Sequence, residues 1–276
     1  MTMLIFGRIG PNILTLSILM ILLIFGTRIF GQNRLIAIAD GRNLPESPKA
    51  TQSETNFIKN EVKSNEQRIK AIAQKAEFKC DEDDAKENLA NENVTANLGV
   101  EGGWKGAFTK PKSSQKIYSY QICWSDGGKY ARAFGGIVIV ENQKTVSHFV
   151  FAEANGIDFI RVLPDINRNG LSEVVLGNSA ASGLRIWRSL EIVEIGADKV
   201  MSLGEAQTYE MPDEENVAFK TSVKAGKTPV FYREIYTSNP ESDKASWKIK
   251  KKSKRFALGG INTESSFDFV KLSAAP

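Results

Sequence analysis

The chain has 276 residues, 42% hydrophobic and 25% charged, with 36 basic residues, 32 acidic ones and a single histidine. Three of the basic residues, Arg8, Arg28 and Arg34, precede Asp40 and no acid does, so the remainder carries 33 basic against 32 acidic residues, which excludes polyanion binding driven by net charge alone. The length holds one or two domains, and every histidine-dependent catalytic or metal arrangement would hinge on His148 alone.

At the N-terminus, Arg8 is followed by an apolar run, Ile13 to Phe25, broken only by Thr15 and Ser17. That length suits the h-region of a secretory signal and is short for a membrane span. Ala37-Ile-Ala39, small residues two apart before Asp40, resembles a cleavage sequence. The stretch from Thr27 to Ala39 is a long c-region, so cleavage near Gly31 and an uncleaved anchor are the alternatives. Residues 1–39 are therefore read as a signal peptide or anchor, and the protein as secreted or periplasmic, or else held by a single membrane pass.

Residues 40–103 read as a linker and helical stalk. Pro45 and Pro48 mark the linker. From Thr51 to Phe78, Ile58, Val62, Ile69, Ile72, Ala73 and Ala76 fall near one helical face, with Asn65 interrupting it. Thr51 and Glu54 have capping-box spacing. The stripe fits a membrane-proximal coiled coil, or a helix that packs on the domain or stands partly free. Asp81-Glu-Asp-Asp84 reads as a solvated run, and Asn93-Val-Thr95 fits a glycosylation acceptor. Cys80 and Cys123, an even count in an exported chain, permit one disulfide closing about 42 residues; the alternative is two separate thiols.

From Trp104 to Leu272, aromatic and β-branched residues rise and turn signals recur, as in antiparallel sheet. The strands expected are 116–124, 131–141, 145–153, 158–163, 171–177, 184–195, 207–211, 218–223, 230–237, 246–251, 255–258 and 267–271. Alternation at Trp247, Ile249 and Lys251 suits a sheet with one wet face. The fold class is mainly β: a single antiparallel β domain, a sandwich or a propeller-like stack of hairpins, preceded by the signal or anchor and the stalk. The length allows about three blades, short of a complete propeller.

Between the apolar runs 160–163 and 174–176 lies Asp165-Ile-Asn-Arg-Asn-Gly-Leu-Ser-Glu173. Asp165, Asn167, Asn169 and Glu173 supply oxygen side chains, Leu171 a backbone carbonyl, and Gly170 sits where a tight loop needs positive φ. The twelfth position is Leu176, where an EF-hand needs a bidentate glutamate, and the flanks are strand-like, so the EF-hand is excluded. This Asp-x-Asn-x-Asn-Gly-x-x-Glu pattern between β runs resembles the calcium loop of FG-GAP and VCBS repeats, found in secreted and cell-surface β-propellers. The resemblance covers residues 156–177 and implies calcium as cofactor, with Asp165, Asn167, Asn169 and Glu173 as side-chain ligands and Leu171 as the backbone one. The family usually has Asp where this chain has Asn167, Asn169 and Glu173, and no second copy of the loop occurs. The metal-free alternative is a hairpin whose Asp and Asn side chains bond the loop backbone as Asx turns.

Lys248-Ile-Lys-Lys-Lys-Ser-Lys-Arg255 has six basic residues in eight, flanked by Trp247 and Phe256. Lysines on an edge strand deter pairing with other chains; the same run suits a polyanion or wall-polymer contact. His148 sits among Val146, Phe149 and Val150 and reads as structural. Glu153 and Asp158 could pair for glycoside chemistry, Gly135-Gly136 precedes a strand rather than a helix and implies no phosphate loop, and Trp104, Trp124, Trp187 and Trp247 read as core. No catalytic constellation emerges. The expected function is a non-enzymatic binding or structural module, with an envelope or secreted carboxylate-dependent hydrolase as the alternative. Expected partners are envelope or extracellular polymers or proteins, not nucleic acid, with a membrane only if the N-terminal segment stays attached.

Overall fold

The computed structural model describes residues 34–44, 46–80, 95, 98–125, 132–154, 156–182, 185–211, 215–239, 246–260 and 265–272. The apolar run 13–25, the acidic run 81–84 and Asn93 lie outside the described residues. Among the described residues, no helix is long and apolar enough to cross a membrane.

The cleavage-like Ala37-Ile-Ala39 lies inside a strand, β1 (Ile36–Asp40), with Ile38 fully buried. Cutting after Ala39 would divide that strand, so the folded unit begins ahead of the boundary drawn at residue 39. Two helices follow, α1 (Gln52–Ser64) and α2 (Glu66–Lys75). The capping box forms as its spacing predicts: Thr51 Oγ1 accepts the Glu54 amide at 3.4 Å and Glu54 Oε2 accepts the Thr51 amide at 2.9 Å. Asn65 divides the helices, where the apolar stripe is interrupted. They do not form a stalk standing away from the domain. Ile58, Val62, Ile69 and Ala73 are buried against a sheet, and the isoleucines and the valine each contribute about 1.5–3 kcal/mol.

That sheet has five strands. β2 (Gly99–Gly106), β3 (Gln115–Ser125), β4 (Arg132–Glu141) and β5 (Lys144–Ala154) form an antiparallel meander, and β13 (Val270–Lys271) returns to pair with β5. Asn142 and Gln143, both at positive φ, join β4 to β5 as a two-residue turn of the type that matches strand twist. A second meander runs through β6 (Phe159–Val162), β7 (Val174–Ser182), β8 (Arg185–Ile195), β9 (Val200–Met211), β10 (Asn216–Lys224), β11 (Val230–Ser238) and β12 (Lys248–Phe256). β1 completes it as the eighth strand. Strand β10 changes neighbours along its length: Val217 and Ala218 pair with β9, whereas Lys220 to Val223 pair with β1.

The protein is mainly antiparallel β, in layers. One face of the five-stranded sheet packs Tyr118, Tyr120, Phe134, Val138 and Val150 under the helices. Its other face packs Ile117, Ile137, Ile139 and Phe149 on Val174, Leu176, Val193 and Ile195 of the eight-stranded sheet. The far face of the larger sheet curls over its own core of Ile38, Leu163, Ile166, Val175, Ile192 and Val223. With both faces covered, β4 is buried continuously from Ala133 to Ile139 rather than alternating. Neither sheet is a four-stranded propeller blade. Cys80 and Cys123 form a disulfide with Cα atoms 5.7 Å apart, tying the end of the helical segment to β3.

Candidate functional site

The loop from Asp165 to Glu173 closes the β6–β7 hairpin, in which Val162 pairs with Val174. Its ends are fixed by packing and by backbone bonds. Ile166 is fully buried and its carbonyl accepts the Gly226 amide at 2.9 Å; the Leu163 amide donates to the Glu173 carbonyl at 2.8 Å. On the outer side, the Ser172 amide donates to the Ala107 carbonyl at 2.7 Å. Gly170 has φ +92°, and a Cβ there would lie 3.0 Å from Pro111, so the loop needs glycine both for its backbone conformation and for this approach.

The loop side chains turn inward onto the backbone. Asp165 Oδ1 accepts the amides of Arg168 at 2.6 Å and Asn169 at 3.1 Å, and Oδ2 accepts that of Gly170 at 2.8 Å. Asn167 Oδ1 accepts the Asn169 amide at 3.1 Å, and Asn169 Oδ1 the Leu171 amide at 2.9 Å. These are Asx turns, and they hold Arg168 at φ +66°, a left-handed conformation unusual for its residue type. Glu173 is 0% exposed; its Oε2 accepts the Ile166 amide at 2.9 Å, whereas Oε1 has no hydrogen-bond partner among the described residues.

The sequence pattern does not reveal a third acid. Asn167 Nδ2 donates to Glu194 Oε2 at 3.0 Å, and Asn169 Nδ2 donates to the same oxygen. Glu194 lies on β8, and the β7–β8 register, with Val174 opposite Val193, places Glu173 opposite Glu194 one step past the last pair. Like charges directly opposite on a sheet repel. Burial pushes the Glu173 carboxyl up to about 7, despite its bond from the Ile166 amide, and nearby Asp165 and Glu194 push the same way.

The oxygen set fits a hard cation in kind. Each carboxylate or amide oxygen has two lone pairs. After the hydrogen bonds above, Asp165 Oδ2, Asn167 Oδ1, Asn169 Oδ1 and Glu173 Oε1 retain acceptor capacity, and Glu194 adds a carboxylate. Calcium takes six to eight oxygens, including backbone carbonyls and water. As the side chains stand, no three carboxylate, imidazole or thiol groups among the described residues gather closely enough to hold a metal by themselves. The amide oxygens of Asn167 and Asn169 and the Leu171 carbonyl are thus needed to complete a set.

No protein-family description, characterised protein or solved structure matches the chain.

The other residues singled out from the sequence lie apart. His148 is 3% exposed and inside a buried polar chain: Tyr120 Oη lies 2.7 Å from Nε2, and Glu61 Oε1 lies 3.2 Å from Nδ1. Glu61 also accepts Thr145 Oγ1 at 2.9 Å and Asn65 Nδ2 at 3.0 Å. The His148 hydrogen bond is the main influence holding the Glu61 carboxyl below its ordinary range. With both ring nitrogens engaged and solvent excluded, this histidine joins α1 to the sheet. Gly135 and Gly136 lie within β4, not before it, opposite Gln121 and Tyr120. A Cβ at Gly136 would stand 2.6 Å from Tyr120 Oη, so this glycine makes room for the Tyr120–His148 contact.

Asp158 is exposed, accepts a hydrogen bond from Ser179 and lies near Arg188. The Glu153 side chain lies outside what is described. Of the tryptophans expected in the core, Trp104 packs against it, Trp247 is half-buried with its ring edge-on to Tyr209, Trp187 is half-buried, and Trp124 is 38% exposed. At the helix N-terminus, Glu54 Oε1 takes hydrogen bonds from Lys116 Nζ at 2.6 Å and Tyr118 Oη at 2.7 Å, which lower its carboxyl to about 2.

Proposed function

We propose that this protein is an exported, non-enzymatic β domain acting as a binding or structural module, with the β6–β7 loop stiffened by calcium. The observation that carries the reading is Glu173, a fully buried carboxylate with one oxygen lacking a partner and two acids beside it. A buried, unpaired carboxylate is costly, and a divalent cation relieves that cost along with the repulsion from Asp165 and Glu194. Asp165, Asn167, Asn169, Glu173 and the Leu171 carbonyl would hold it, joined by Glu194. The ion would supply positive charge and a fixed coordination geometry; the chain supplies an anchored loop. The resemblance of the loop to FG-GAP and VCBS repeats supports the same ion. Export is supported by the Cys80–Cys123 disulfide, which suits an oxidising compartment, and by the apolar run near the N-terminus. The partners that suit such a module are envelope or extracellular polymers or proteins.

Calorimetric titration of the full chain with calcium chloride tests the reading. Binding in the range of about 10⁻⁴ to 10⁻³ M is expected, abolished by Asp165→Ala and weakened by Glu194→Gln. Absence of heat at millimolar calcium, or equal heat from Asp165→Ala, overturns it.

A further inference from the structure

Strand β12 is the edge strand of the eight-stranded sheet, and its residues Lys248 to Arg255 are all exposed. The sequence reads this segment as two strands, 246–251 and 255–258. The structure instead has one strand with two register shifts against β11: Arg233 pairs with Lys254, Ile235 with Lys251, Tyr236 with Ile249 and Thr237 with Lys248. In a regular strand, residues three apart point to opposite faces. Here partners on β11 that are two apart, Thr237, Ile235 and Arg233, meet Lys248, Lys251 and Lys254, so the bulges turn a three-residue spacing into a single-face file. The β11 repeat sets the spacing of these lysines at about 6.6–6.8 Å.

Arg233, half-buried on β11, lies across from Lys254 as a fourth cation on the same face. Its guanidinium is packed over the rings of Phe219 and Phe256, at 4.8 and 4.3 Å. Lys250, off the file, is paired with Glu215 at 2.8 Å; among the described residues no acid pairs with Lys248, Lys251 or Lys254.

Edge protection asks only for charge on the strand; it does not require three lysines on one face at even spacing in a chain that is otherwise close to neutral. We infer that β12 is the contact strip for a linear polyanion bearing regularly repeated sulfate or phosphate groups without bases. Single-stranded nucleic acid binding relies on exposed aromatic platforms, and Trp247 and Phe256 beside the strip are partly covered. A lipid surface would be met by apolar and cationic residues together, but Ile249, the exposed apolar residue of the strand, pairs with Tyr236 and points away from the file.

The test compares two variants that remove equal charge from the same strand of the full chain: Lys248/Lys251/Lys254→Ser and Lys250/Lys252/Arg255→Ser. Binding to size-defined heparin oligosaccharides is measured against salt, with a file-only Lys→Arg variant as a control for folding and charge. The expected result is a loss of about tenfold or more for the file variant, less than threefold for the other, and retention by Lys→Arg. The salt dependence of log K should flatten by about two to three units of slope on loss of the file. Equal losses from the two Ser variants, or no loss from the file variant, overturn the proposal. Tighter binding to oligo-dT or to phosphatidylglycerol vesicles than to heparin overturns the assigned class.

Discussion

Glu173 makes the stability of the domain depend on pH in a direction opposite to that of most carboxylates. Its carboxyl lies at about 7 in the folded protein against an ordinary 4.5. The folded state therefore holds this proton more tightly than the unfolded state. Stability from this group is fully present below about pH 4.5 and is lost as pH rises through 7. At 1.36 kcal/mol per pKa unit the full loss is about 3.4 kcal/mol, of which about 2–3 kcal/mol falls above pH 5, a large part of the roughly 5–15 kcal/mol of a typical domain. Glu173→Gln keeps an oxygen for the Ile166 amide and adds a donor that can face Glu194, so it should lose this dependence. Urea unfolding followed by tryptophan fluorescence at intervals from pH 5 to 8.5 gives the difference between wild type and Glu173→Gln, in which other titrating groups cancel. The glutamine variant should gain about 2–3 kcal/mol on wild type between pH 5 and 8.5. At pH 8, 10 mM calcium should restore about 1.4 kcal/mol to wild type if Kd is about 1 mM, and nothing to the variant. A difference that stays constant across the pH range refutes the placement of Glu173 as a buried, unpaired acid.

Glu54→Gln should lower stability by about 1–2 kcal/mol at pH 7 through loss of the capping-box charge and the Lys116 contact. Because the folded-state carboxyl lies at about 2, that difference should fade as pH drops from about 4.5 to 2, which acid titration of unfolding would show. Tyr120→Phe leaves His148 Nε2 buried without its partner and should cost about 1–3 kcal/mol, seen as an earlier urea midpoint with an unchanged slope. Cys80→Ser with Cys123→Ser should cost about 2–5 kcal/mol, measurable as a lower thermal midpoint than that of the oxidised wild type.

Strands β3 to β5 were legible because apolar and β-branched runs ended at clear turn residues, and the capping box at Thr51 was legible because its signal is local. Strand β2 was not: its sequence, Gly-Val-Glu-Gly-Gly-Trp-Lys-Gly, has four glycines, and it becomes a strand by pairing along β3. The first half of β9 was hidden by Gly204, at φ +133° beside a register shift opposite β8. Strand β12 was divided into 246–251 and 255–258 because the polar residues between them, which bulge in the structure, carry no strand signal. In the loop, the inward-turning Asp165, Asn167 and Asn169 were readable from spacing. Glu194 was not, because its place beside them depends on β7–β8 register rather than on any motif. The partners of His148 were likewise hidden, since Glu61 approaches from a helix 87 residues away in sequence.

The change of neighbours along β10 sets an order of events for a newly made chain. Residues 36–40 leave the ribosome early, yet the backbone they pair with, Lys220 to Val223, emerges some 180 residues later. Contacts so distant in sequence form slowly, so during synthesis β1 waits and, once β10 has formed against β11, half of β10 offers open hydrogen-bonding groups. Any extended peptide of suitable pattern could occupy that gap, including the same segment of a neighbouring nascent chain. Shortening the chain past residue 40 would leave the gap permanently open, and the expected outcome is edge-to-edge association between molecules rather than a slightly weakened monomer.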